Sequence, residues 1–87
     1  MVDGMIKKWW RWRQELSQLR RDEAIARDRW MRAYYAYQDT GVICRNDPDL
    51  SNAFRVLSAA QDESTDRLDE YKALRNARQR MEKVGPG

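Results

Sequence analysis

Residues 5–37 read MIKKWWRWRQELSQLRRDEAIARDRWMRAYYAY, and the spacing of the apolar side chains in this stretch decides the fold. Met5, Trp9, Trp12, Leu16, Leu19, Glu23, Ala26, Trp30, Ala33 and Tyr37 follow one another in alternating steps of four and three residues. That alternation holds side chains on one side of an α-helix and suits packing against a second helix. No Pro or Gly interrupts the stretch, and Leu, Arg, Gln, Glu and Ala, all good helix formers, dominate it. The pattern predicts a helix over about residues 4–38, ended by Asp39-Thr40-Gly41 with Gly41 as the left-handed residue after the last turn.

A second stripe follows. Leu50, Ala53, Leu57, Ala60, Ser64, Leu68, Tyr71, Leu74 and Met81 repeat at helical spacing, and Asp47-Pro48-Asp49 precedes them as a start signal. This gives a helix over about 48–84, a connection at 39–47 and a short tail at 85–87. Two helices of similar length joined by a short connection fold back as an antiparallel, coiled-coil-like hairpin, so the fold class is all-α and the chain is one domain.

The expected core is Trp9, Trp12, Leu16, Leu19, Trp30, Leu57, Leu68, Tyr71 and Leu74. In the simplest register Trp30 meets Leu57, Leu19 meets Leu68, Leu16 meets Tyr71, Trp12 meets Leu74, and Arg78 stacks on Trp9. Glu23, the one acid on the first seam, then needs Ser64 or Arg67 as a partner. The apolar connection Val42-Ile43-Cys44 is expected to plug the end of the helix pair; the alternative is a sticky docking tip.

A chain of 87 residues buries only about 60–65% of its unfolded surface, so a self-partner would help it. Although 36% of the residues are charged, four Trp and four Tyr at helical spacing argue for a folded chain. Off the seam, Ile6, Trp10, Ala24, Met31 and Tyr35 form a second apolar set that one hairpin cannot bury. It implies either a symmetry mate, giving a four-helix bundle or larger homo-oligomer, or a groove for a foreign partner.

Charge is segregated. Residues 47–70 hold Arg55 and Arg67 against Asp47, Asp49, Asp62, Glu63, Asp66, Asp69 and Glu70. Lys7, Lys8, Arg11 and Arg13 alternate with Trp9, Trp10 and Trp12, and the hairpin brings them towards Lys72, Arg75, Arg78, Arg80 and Lys83. The acidic stretch Asp62–Glu70 should fall beside Arg20 and Arg21.

The basic Trp-rich end has four readings: solvated flanks of a structural seam, an acidic protein partner, a nucleic acid, or an anionic membrane. A net charge of only +3 weakens the nucleic-acid case. The favoured function is a small non-enzymatic interaction module that self-associates and binds an acidic protein as inhibitor or adaptor. Its partner-facing residues are expected to be Trp10, Arg11, Arg13, Met31, Tyr35, Arg75 and Arg80.

No catalytic, metal or cofactor site is expected. The chain has no His, and Cys44 lacks an activating base. The acids from Asp62 to Glu70 include helical i, i+4 pairs, but such surfaces are usually only solvated. A lone Cys allows no internal disulfide, and no apolar run is long enough to span a bilayer or to serve as a signal peptide, so the chain reads as cytoplasmic. Leu68-Asp69-Glu70-Tyr71 followed by Arg75-Asn76-Ala77 faintly resembles the second helix of type III secretion needle subunits. The match covers some ten residues and the Trp-rich first helix departs from it, so no family is assigned. The layout also looks like small plasmid or phage regulators that dimerise into four-helix bundles, a likeness of architecture alone.

Overall fold

The computed structural model describes residues 2–86, with the side chains of Val2 and Asp3 outside the description. It contains two helices, α1 (Val2–Arg45) and α2 (Leu50–Val84), packed against each other as an antiparallel hairpin of 71 × 14 × 14 Å.

The first helix runs past its expected end. Gly41 lies inside α1 with no positive φ, and the chain leaves the helix only after Arg45. Glycine in a helix interior costs only about 1 kcal/mol, whereas the residue before a proline is driven out of the helical region. Asp47-Pro48 is therefore the real stop, and the seam carries on through Thr40 and Cys44. Asn46 and Asp47 donate their backbone N–H groups to the Ile43 and Cys44 carbonyls at 3.1 and 3.2 Å, tightening the final turn.

Asp49, rather than Asp47, caps α2: its carboxylate accepts from the Asn52 N–H at 3.2 Å, while Asp47 Oδ1 accepts from the Asp49 N–H at 2.9 Å. At the far end Gly85, at φ 75°, takes the left-handed conformation that a side chain would disfavour and donates its N–H to the Met81 carbonyl at 3.1 Å. Of the expected tail, Gly87 lies outside the described residues.

Moving the turn towards Pro48 shifts the register by several turns along α2. Trp30 stacks on Tyr71 (centroids 5.9 Å apart, planes 9° apart) instead of meeting Leu57, and Trp12 donates its indole N–H to the Met81 carbonyl at 3.0 Å instead of packing on Leu74. Glu23 finds neither Ser64 nor Arg67: it accepts a two-pronged hydrogen bond from Arg78, through Nε and through Nη2 at 3.1 Å. Arg78 is thus taken from Trp9, and Arg13 lies over that ring instead, at 5.2 Å. Among the described residues no ion pair joins the Asp62–Glu70 stretch to α1; Arg20 pairs with Glu82 at 3.0 Å.

The core is thin. Leu16, Ala26 and Ala53 are its buried apolar side chains and Ser64 its buried polar one, and the two alanines let the backbones approach. Trp12, Leu19, Trp30, Leu57, Leu68, Tyr71 and Leu74 are half-buried. Trp9, expected in the core, is exposed, because α2 ends before it can cover that position.

One polar network spans the open half: Glu23, Arg78, Glu82 and Arg20 form a continuous chain of charge-assisted bonds. The hydrogen bond from Arg20 is the largest influence on the Glu82 carboxyl; desolvation opposes it, the hydrogen bond from Arg78 adds a smaller pull, and the net result holds the carboxyl below its ordinary range. A depressed folded-state pKa means stability that is present above the unfolded carboxylate value, about 4.3, and lost as pH falls through the folded value. Thermal melts of the wild type should therefore drop on acidification below about pH 4.5, and Glu82→Gln should make that drop shallower. Parallel profiles for the two proteins would contradict the network's role.

Candidate interaction surface

Three surfaces follow from this register. The first is an overhang. α1 is longer than α2 (44 residues against 35), and Trp12 sits where α2 ends, tied to Met81. About two turns of α1 therefore project beyond the pair. There Met5, Ile6, Trp9 and Trp10 are 73%, 49%, 37% and 53% exposed, and the Trp9 and Trp10 rings meet edge to face at 5.2 Å.

The second surface is a flank of the hairpin. Ile6, Trp10, Arg13, Ser17, Arg20, Ala24, Arg27, Met31, Tyr34, Gln38 and Gly41 repeat the seam one residue later, so they line one side of α1. On α2 the same side holds Phe54, Gln61, Leu68, Arg75 and Glu82 at seven-residue intervals. Contacts confirm the match: Arg20 pairs with Glu82, and one shallow groove is shared by Arg20, Ala24, Arg27, Tyr71, Arg78 and Glu82. Asp62, Glu63, Asp66, Asp69 and Glu70 fall on the outer and opposite side of α2. The flank is thus basic and aromatic, and its acids, Glu23 and Glu82, are bonded to arginines.

The third surface is the closed end. Val42 and Ile43 do not plug the helix pair; they lie on the continuing helix, 58% and 70% exposed, as are Leu50 and Phe54 on α2 at 78% and 73%. Val42, Leu50 and Phe54, with Tyr37, Gly41, Ala53 and Leu57, form the apolar part of a cleft of about 880 Å³ that Gln38, Asp39 and Arg45 also border. Cys44 alone turns inward, its thiol donating to the Ala53 carbonyl at 3.3 Å.

Of the partner-facing candidates, Trp10 and Arg13 share one shallow depression with Gln14, Ser17, Gln18 and Arg21. Met31 and Tyr35 are exposed nearer the turn, Arg11 and Arg80 are exposed away from the flank, and Arg75 is only half free. Its guanidinium lies 5.7 Å from the Tyr71 ring centre, and its Nε is buried without a hydrogen-bond partner among the described residues. The sequence reading missed Tyr34, Leu50 and Phe54; the apolar run Val42-Ile43-Cys44 was the signal that this end exposes apolar side chains. Among the described residues no group of three or more Cys, Asp or Glu side chains is placed to hold a metal ion, and no helix is long and apolar enough to cross a membrane.

No protein-family model matches the chain, and neither a curated protein nor a solved structure matches it. The functional reading therefore rests on the surfaces themselves.

Proposed function

We propose that this chain is a small non-enzymatic interaction module that self-associates and binds an acidic protein, as an inhibitor or adaptor, in the cytoplasm. The observation that carries this reading is the composition of one flank: exposed Met31, Tyr34 and Phe54 with Arg13 and Arg27, and acids there only in ion pairs. Aromatic, Met and Arg side chains are the types that dominate protein interfaces.

The apolar half of the flank, towards the turn, joins two copies into a four-helix bundle. This relieves the thin core and covers the closed-end cleft. The arginine half takes the acidic partner, where charge complementarity sets the encounter rate. Light scattering tests the first part: Met31→Glu and Phe54→Glu should each lower the mass to that of a monomer while circular dichroism keeps the helical signal. A wild type that is already monomeric at working concentration contradicts self-association. Capture of partners on immobilised wild type, lost on Arg13→Glu/Arg27→Glu, tests the second.

The basic Trp-rich overhang supports a second reading, contact with an anionic surface, which is independent of the flank's apolar half.

A further inference from the structure

We infer that the overhanging start of α1 is an interfacial helix that docks on an anionic phospholipid bilayer. This goes beyond the protein-binding role above, and it uses a segment separate from the self-association surface.

The argument begins with angles. At 100° per residue, Met5, Ile6, Trp9 and Trp10 occupy an arc of about 140°, and Lys7, Lys8 and Arg11 an arc of about 100° centred opposite it. Residues 4–14 contain no acid. An apolar face carrying two Trp, backed by a purely cationic face, is the composition of helices that lie in a membrane interface. Trp settles at headgroup depth there, and Lys and Arg reach the anionic lipid.

Position supplies what the sequence could not. If α2 had run to the start of α1, Met5 and Trp9 would have been covered as seam residues, leaving Ile6 and Trp10 alone on the flank. Because α2 stops near Trp12, all four apolar side chains stay exposed. Arg13, lying over Trp9, marks the boundary with the hairpin body and keeps a cation near the level of the rings.

The same arcs separate the bilayer from its rivals. A nucleic acid needs cations and aromatic rings on one face, so that phosphates and bases are met together; here Lys7, Lys8 and Arg11 lie opposite the rings, and Arg13 stands on their side, over Trp9. A second copy paired through the apolar faces would leave both cationic faces turned outward without a partner. An anionic bilayer takes both faces at once. Cytoplasmic leaflets carry such lipid.

The test uses the full chain and co-sedimentation with vesicles of phosphatidylcholine, alone or with phosphatidylserine as about a third of the lipid. Wild type should pellet with the serine-containing vesicles, with a blue shift of Trp emission, and should be largely released by high salt. Ile6→Glu/Trp10→Glu should lower partitioning by about tenfold or more, and Lys7→Glu/Lys8→Glu should do the same, with helicity and light-scattering mass unchanged. No pelleting at low salt, or equal pelleting of the variants, overturns the inference. So does preferential binding of a single-stranded oligonucleotide that strips the chain from vesicles. Mass by light scattering is read on the same samples, so loss of self-association and loss of membrane binding are scored separately.

Discussion

Leu16→Ala is expected to destabilise the hairpin by about 3–4 kcal/mol, the largest effect of any apolar truncation in the chain. Leu16 is 5% exposed and, among the described residues, is the only large buried apolar side chain; Ala26 and Ala53 have little left to remove. Truncating it opens a cavity that two straight helices cannot close by bending, so both the transfer loss and the cavity term apply. A chain of this length has about 4–13 kcal/mol of stability in all, so the variant should be measurably unfolded at moderate temperature. Urea unfolding followed by circular dichroism measures the change. A loss below about 1 kcal/mol would mean that Leu16 faces solvent.

Trp30→Ala comes second, at about 2–3 kcal/mol, because its ring is half-buried and part of its area stays wet in the fold. What it loses is specific. The ring lies parallel to Tyr71 and 6.2 Å from the Tyr34 ring, and Arg75 lies over Tyr71 at 5.7 Å. Trp30→Phe should recover much of the loss, since a smaller ring can still stack. Equal losses for both variants would show that area, rather than stacking, carries the contribution. Self-association adds to the measured stability by mass action, so both variants are compared at one protein concentration.

The two stripes, the antiparallel pairing and the capping role of the Asp47–Asp49 segment were all legible in the residues, because 4-3 alternation and an X-Pro stop have direct physical meanings. The register was not. It depended on weighing Gly41 against Pro48, and an isolated glycine is a weak helix breaker where a proline is a strong one. The stripe itself continued through Thr40 and Cys44, at the same spacing as Tyr37, and that continuation pointed to the longer helix. From the register everything else moved. Glu23 met Arg78, Trp9 lost its cover, and Val42 and Ile43 became exposed helix instead of a plug.

Exposed bulk was legible where it lay off the seam, as with Trp10, Met31 and Tyr35. Leu50 and Phe54 were hidden because their exposure depends on where the turn falls, which periodicity alone does not fix. The place of Arg75 over Tyr71 follows only once Tyr71 is known to face Trp30.

The central claim is the register, with the turn at residues 46–49 and α1 overhanging α2. Spin labels at Arg20→Cys and Glu82→Cys, in a Cys44→Ser background diluted with unlabelled chain, measure it by pulsed electron resonance. The side chains of this pair are 3.0 Å apart, so the labels should give a separation below about 20 Å. The register with Leu19 opposite Leu68 would place residue 82 some fifteen residues from the one opposite Arg20, about 22 Å along the axis, and a peak near about 25 Å or beyond would contradict the account.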